Sequence, residues 1–420
     1  MKFNRRNFLM NGAAASALAS MGWYPNMARA AEGERKFLFF FAGGAWETTT
    51  VFDPHFGTPH IDMDPMSSLV QIDDLKFNSI DGRMNVDRFF RRWSSRTAIV
   101  NGVDAHSVGH DSGTKLTLTG TSASSYADWP TILAAQGRGE YPLPHLVFSG
   151  PNYAGNSGAA VVRAGGGSLI DMINSSIHGQ ADNPAPVFSS PADSMIDAFA
   201  HKRVADFAAR HELEGGHGRR RSASYLNNLD RAMEIEGRLF EAGLDSVGNS
   251  LADQALKAVE MFRLGLSRTA MIRIPGGWDC HGGTQVNIGQ YDNFFGALDE
   301  LMTYMSVTPG SSAPYLIDEV VIVAMSEFGR TPRFNSSRGK DHWPFTSSLV
   351  IGSGVNGGKT LGATDDALIG VPVDFETGQA NNSGEMLGTE NLGVALLKLG
   401  GLDPEQILPG IQPFNAILKS

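Results

Sequence analysis

The chain has 420 residues, 42% hydrophobic and 19% charged, which suits a packed soluble protein of one large α/β domain or two smaller ones. Its net charge is −10 and no basic stripe offsets it, which argues against nucleic acid and against an anionic membrane surface as partners. A single cysteine, Cys280, excludes an internal disulfide framework.

Residues 1–30 read as a targeting segment. Arg5 and Arg6 are adjacent and are followed by Asn7, Phe8 and Leu9, the twin-arginine export pattern. A weakly apolar middle and Ala28-Arg29-Ala30 complete it, with cleavage expected after Ala30. The apolar part contains Asn11 and Gly12 and falls short of the roughly 20 apolar residues that a membrane span needs. The expected location is the periplasm or the extracellular space, with no transmembrane segment in the mature chain. Removing Lys2, Arg5, Arg6 and Arg29 leaves 30 basic against 44 acidic side chains, a net charge of −14. Twin-arginine export moves folded proteins, a route that suits a metal-containing enzyme.

Continuous apolar runs then recur, each ending in glycine or polar residues. They are Lys36–Ala42, Thr97–Val103, His145–Ser149, Ala270–Ile274, Glu319–Met325 and Ser348–Ile351. Continuous rather than alternating runs are what strands covered on both faces require. Amphipathic segments at Trp129–Gln136, Ile288–Met305 and Asn391–Leu399 predict helices between them. The expected fold is a large, mostly parallel sheet sandwiched by helices, spanning residues 31–420. Helical spacing over 222–266 predicts two helices split near Gly243 and Gly248, and a helical insertion is placed at about 175–266. Before them, Glu214–Ser224 is glycine- and arginine-rich and reads as an exposed loop with no assigned function.

Ligands in such sheets bind beyond the carboxyl ends of the strands. The first run is followed there by Glu47 and Thr48, and the second by His106, His110, Asp111 and Ser112. The fourth is followed by Trp278-Asp279-Cys280-His281, and the fifth by Glu327, Arg330, Asp341 and His342. Converging, these would form an oxygen and imidazole cage suited to zinc, manganese, iron or magnesium. Neighbouring Asp341 and His342 would point to opposite faces of a regular strand, so only a turn lets both serve. Ser112 sits where a loop enters a helix, as an activated hydroxyl or simply an N-cap. Thr48 is a second candidate hydroxyl. Arg330 is placed either to clamp an oxyanion or to pair with Glu327.

The stretches GGAWETTTVFDP, HDSGTKLTLTG, GGWDCHGG and VVIVAMSEFGRTPR, followed by KDHWP, resemble the domain of unknown function 1501 family over nearly the whole mature chain. That family in turn resembles the alkaline phosphatase and sulfatase superfamily. The resemblance implies two divalent metals around a Ser, Thr or modified Cys nucleophile, and transfer of phosphoryl or sulfuryl groups. It places Ser112 at the nucleophile and Glu47 where a first-strand Asp ligand stands. It assigns Asp279, His281 and His342 to one metal, with Asp341 beside His342. Glu327-Phe328 replaces an Asp-His pair, and Phe328 cannot bind a metal, so one ion is expected rather than two.

The resulting expectation is an exported hydrolase of phosphate or sulfate esters, either small molecules or polymer-borne. A divalent zinc, manganese, magnesium or calcium ion would serve it, with Glu47 and Glu327 completing a weaker second site. Lys115 or Arg330 would bind the anionic group. The alternative is a catalytically degenerate binding or assembly protein of the cell envelope on the same fold.

Overall fold

The structure, a computed structural model, describes residues 33–137, 141–157, 159, 161–165, 190–210, 235 and 248–419. The expected strands assemble into one eight-stranded sheet. Its order is β12 (Lys359–Leu361), β4 (Thr97–Asp104), β11 (Phe345–Gly352), β8 (Val320–Met325), β1 (Lys36–Phe41), β7 (Thr269–Arg273), β5 (His145–Val147) and β6 (Val161–Arg163). β1 is central and pairs in parallel with β7 and β8, so that Phe39 lies between Met271 and Val323. Every residue of β1 and β8 is buried, as their unbroken apolar sequences require.

β11 departs from the parallel arrangement, running antiparallel to both β4 and β8. Its starting end therefore lies at the same rim as the carboxyl ends of β1, β4, β7 and β8. The segment that leads into β11 carries Asp341 and, in β10 (His342–Trp343), His342; β10 pairs antiparallel with β9 (Gly329–Arg330), and the segment meets those that follow the other four strands.

Helices cover both faces of the sheet. On one, Phe37, Phe39, Phe41, Val323 and Met325 share a core with α2 (His110–Thr119), α3 (Trp129–Ala135) and α7 (Thr389–Leu399). On the other, Phe40 meets Phe294 of α6 (Gln285–Val307) edge-on, with ring centroids 5.5 Å apart. α1 (Met84–Trp93) and α5 (Leu251–Arg263) also pack on α6. Each fully buried phenylalanine contributes on the order of 2 kcal/mol from apolar surface removed from water.

Capping sets several helix starts. Asp128 accepts the Thr131 N–H ahead of α3, and Ser250 and Asp253 form a capping box on α5. α5 contacts β1 and β7 and belongs to the sheet unit, so Leu251–Arg263 is not part of the insertion in which the sequence had placed it. A second compact unit falls within residues 163–249, where Ser190–Arg210 forms α4. The targeting segment, the loop Glu214–Ser224 and nearly all of the helical reading over 222–247 lie outside the described residues. No described helix is long and apolar enough to cross a membrane.

The sequence did not foresee α1, β6, β12 or a hairpin ahead of α1. β2 (Ser67–Ile72) and β3 (Leu75–Ile80) form an antiparallel hairpin, joined to β12 by a bridge between Asp74 and Lys359. Exposed and buried residues are mixed along both of its strands, so neither shows the unbroken apolar run of β1 or β8.

Candidate metal centre

The site is assembled from four strand ends. β1 runs out into Gly43 and Gly44, and Gly44 has φ +124°. A β-carbon there would stand 2.8 Å from the Asp279 nitrogen, so glycine is what lets the Trp278–His281 turn come this close. That turn is anchored by Trp278, which is fully buried, packs edge-on against Tyr291 at 4.9 Å, and donates its indole N–H to the Ile274 carbonyl at 3.3 Å. Cys280 is buried too, and burial pushes its thiol up. With these two side chains turned inward, Asp279 and His281 are left at the solvent-facing rim, each about half exposed.

α2 supplies the second wall. Its Gly113 carries no side chain, and a β-carbon there would lie 2.9 Å from Phe328 and 3.1 Å from the Glu327 carbonyl. The helix thus rests directly on the Glu327-Phe328 turn, where Thr117 also donates to the Glu327 carbonyl at 3.2 Å. This seating brings His110, the first residue of α2, to the buried Glu327 carboxylate, with Nδ1 2.8 Å from Oε1. The same oxygen accepts the Gly44 N–H at 2.6 Å.

Three imidazoles are then held in one way. His110 Nδ1 faces Glu327, His281 Nδ1 faces Asp341 Oδ1 at 2.8 Å, and His342 Nδ1 faces the Val108 carbonyl at 2.7 Å. All three partners are acceptors, so the proton of each neutral ring belongs on Nδ1 and the Nε2 lone pair is free. The Nε2 atoms converge on Asp279. His281 Nε2 is 3.1 Å from Oδ1, His342 Nε2 3.5 Å from Oδ1, and His110 Nε2 3.5 Å from Oδ2. His281 Nε2 and His342 Nε2 are only 3.0 Å apart. Two facing lone pairs beside a carboxylate repel each other unless a cation or a proton lies among them. Backing of Nδ1 by a carboxylate or carbonyl, with Nε2 turned inward, is the way a metal-binding histidine is oriented toward its ion. His110, Asp279 and His342 each present one ligand atom within 4.8 Å of the other two, and the set fits a divalent ion.

The predicted residues divide into those at this centre and those elsewhere. Asp279, His281, Glu327, Asp341 and His342 come together. Asp341 and His342 do face different ways. His342 points to Asp279, while Asp341 stands behind His281 and also accepts from Asn335 at 3.0 Å. The hydrogen bonds from Asn335 and His281 hold the Asp341 carboxyl below its ordinary value. Partial burial pushes Asp279 up, but the hydrogen bond and charge of Arg330, with His281 and His110, outweigh it and leave it below the usual range.

Glu47 is not brought to the centre. Its Oε1 accepts from Lys340 Nζ at 3.0 Å and from the Thr49 N–H at 3.1 Å, and Oε2 accepts from Thr50 Oγ1. Burial raises its carboxyl, and Lys340, Thr49 and Thr50 pull it below the ordinary value. It caps the short 3₁₀ turn Thr48–Thr50 and neutralises a buried lysine. The three threonines are buried in that turn, Thr48 included. Arg330 pairs with Asp279 rather than Glu327, and its donors go to Asp279 and to backbone carbonyls at Gly44, Ala45 and Lys340. Buried completely and bonded in this way, it ties the site's loops together instead of clamping an external anion. Lys115 donates to the Ser122 carbonyl.

Ser112 is neither N-cap nor base-activated. The N-cap of α2 is Gly109, and Ser112 Oγ bonds Ser107 Oγ at 2.6 Å and the Gly109 carbonyl at 3.1 Å. His106 is drawn away to Asp104 and Glu390, at 3.3 and 3.1 Å. His110 stood among the rim residues read from the sequence but not among those that the resemblance assigns to a metal. The available signal was a histidine opening a helix directly after a glycine at a strand end.

The geometry defines an α/β protein with a carboxylate and imidazole centre at the carboxyl rim of its sheet. The chain belongs to the family described as protein of unknown function (DUF1501), whose model matches residues 35–412. No curated protein matches the chain. It is similar to a solved protein in the alkaline phosphatase superfamily from Vibrio parahaemolyticus, at 11% identity, covering 100% of this chain and 80% of that one, with a TM-score of 0.39.

Proposed function

We propose that this protein is an exported, metal-dependent hydrolase of phosphate or sulfate esters. The observation that carries the reading is the convergence of three Nδ1-anchored imidazoles on the Asp279 carboxylate. His110, Asp279 and His342 would hold the ion, and Arg330 orients Asp279 from behind. A divalent ion bound there supplies Lewis acidity toward an ester oxygen. One ion is the reading, because Phe328 is apolar, buried and packed against both His110 and His342, at 5.1 and 4.7 Å between ring centroids.

The His281–Asp341 pair can hold and release a proton at His281 Nε2, since Asp341 fixes the other nitrogen. Arg273 takes the anion-binding role foreseen for Arg330 and Lys115. It is exposed at the carboxyl end of β7, and its guanidinium lies against Gly43. Ser112 Oγ has neither an imidazole nor a carboxylate among its hydrogen-bond partners, so no side chain there takes its proton. Export rests on Arg5-Arg6 and Ala28-Arg29-Ala30.

The test is metal content of the purified protein, followed by hydrolysis of aryl phosphate and aryl sulfate esters with and without chelator. Near-stoichiometric metal and chelator-sensitive hydrolysis are expected, with His342→Ala losing both. A metal-free protein whose thermal midpoint ignores chelators refutes the reading. Phe328 and the unassisted Ser112 also favour a second reading, a non-catalytic binding or assembly protein of the cell envelope. Stoichiometric metal with no ester hydrolysis would select it.

A further inference from the structure

A groove of about 670 Å³ lies where the β2–β3 hairpin meets β12, and it shares no residue with the metal centre. Its floor follows from strand register. Leu69 and Gln71 project from one face of β2, and Gln71 is paired across the hairpin with Lys76 of β3. Thr360 of β12 continues the surface, its hydroxyl accepting the Lys76 N–H at 2.8 Å. Phe56, 44% exposed, also lines the groove.

Deeper in, the lining is polar and pre-organised. Buried Asp53 gathers Asn101 Nδ2 at 3.3 Å, His55 Nε2 at 3.2 Å and Thr364 Oγ1 at 2.6 Å. Asn101 is itself buried, and its Oδ1 has no hydrogen-bond partner.

Three features narrow the ligand. Asp53 and Asp74 set two carboxylates against Lys76 and the imidazole of His55, so the groove has no surplus of positive charge for a polyanion. The backbone between β3 and β12 is already engaged, with the Thr360 N–H on the Asp74 carbonyl at 3.0 Å, so a peptide strand finds no free ladder there. The lining combines apolar faces, Phe56 and Leu69, with side-chain amides that donate and accept, Gln71 and Gln379. A ligand that matches this is uncharged, carries hydroxyls in both senses and has apolar C–H faces. The volume lies within the range of about 300–1,000 Å³ usual for ligand clefts.

We propose that this groove binds a neutral saccharide chain. The inference does not rest on the chemistry of the metal centre. The experiment applies the purified protein, in excess chelator, to an array of neutral, sulfated and phosphorylated oligosaccharides. Calorimetry with the strongest neutral glycan follows, for the parent, Phe56→Ala and Gln71→Ala. Both side chains are exposed, so the thermal midpoints should match the parent's, which checks folding. Retention of neutral glycans is expected, with each substitution weakening binding about tenfold, the effect of losing one well-placed contact. No retained neutral glycan, retention confined to charged glycans, or affinity unchanged in both variants overturns the proposal. Because chelator is present throughout, a failure here is separate from a failure of the hydrolase reading.

Discussion

Replacing Arg330 with lysine tests whether the site is held together by one buried guanidinium. Arg330 reaches the Ala45 carbonyl through Nε at 2.8 Å and the Lys340 carbonyl through Nη1 at 3.1 Å. Through Nη2 it reaches the Gly44 carbonyl and Asp279 Oδ1, the latter at 2.6 Å. These acceptors lie on three separate segments, and a fork spans them where a point charge cannot. An ammonium has three donors, so one kept on Asp279 leaves two at most for the three carbonyls, and at least one acceptor loses its donor. At about 1–3 kcal/mol for each orphaned acceptor, Arg330→Lys should cost at least roughly 1–3 kcal/mol.

The assay is equilibrium unfolding in guanidinium chloride with chelator present, followed by tryptophan fluorescence. Trp46 and Trp278 are buried beside the affected loops and report them directly. The expected result is a lower midpoint with an unchanged slope. Lysine should also relieve part of the downward pull on Asp279, so its carboxyl should titrate nearer the ordinary value. A variant within about 0.5 kcal/mol of the parent, the range of an unremarkable surface substitution, would refute the reasoning.

Three further outcomes follow from the same geometry. Glu47→Gln leaves the buried Lys340 ammonium without its charge partner and should cost about 3–5 kcal/mol, equally with and without chelator. A loss that disappears on chelation would instead make Glu47 a ligand. Asp341→Asn should lower metal affinity about ten- to a hundredfold, measured against a competing chromogenic chelator, while leaving the metal-free thermal midpoint in place. Unchanged affinity would remove Asp341 from the site. His106→Asn probes pH dependence. Asp104 and Glu390 push His106 up to about 10 against a smaller opposing effect of burial, well above the unfolded value of about 6.5. Its contribution is therefore complete below about pH 6.5 and is lost as pH rises through about 10. The group is partly exposed, so urea titrations should show a deficit of only about 0.5–1 kcal/mol at pH 6, closing by about pH 11. Asparagine accepts the positive φ of that position, and a deficit that grows with pH would contradict the assignment.

The core strands were legible in the sequence because burial on both faces demands an unbroken apolar run, and such runs mark β1, β4, β7, β8 and β11 within a few residues. Strand ends were legible as well, and with them the set of polar residues at the rim. What the runs do not encode is direction. Only the tertiary structure shows β11 antiparallel, which brings Asp341 and His342 to the rim shared by the other strand ends. Nor does spacing say where a side chain points once a loop has folded. Glu47 follows β1 as closely as a ligand would, yet buried Lys340, nearly 300 residues on, draws its carboxylate away. Arg330 was expected at an anion and instead satisfies carbonyls from three loops, because a buried guanidinium must pair its donors with whatever backbone surrounds it. His110 joined the centre through the seating of α2 on Phe328, a contact that rests on the missing side chain of Gly113. Local sequence determines which segments are buried and where they stop. Which polar groups then face one another depends on long-range packing, where each buried charge and hydrogen-bonding group must find its partner from a distant part of the chain.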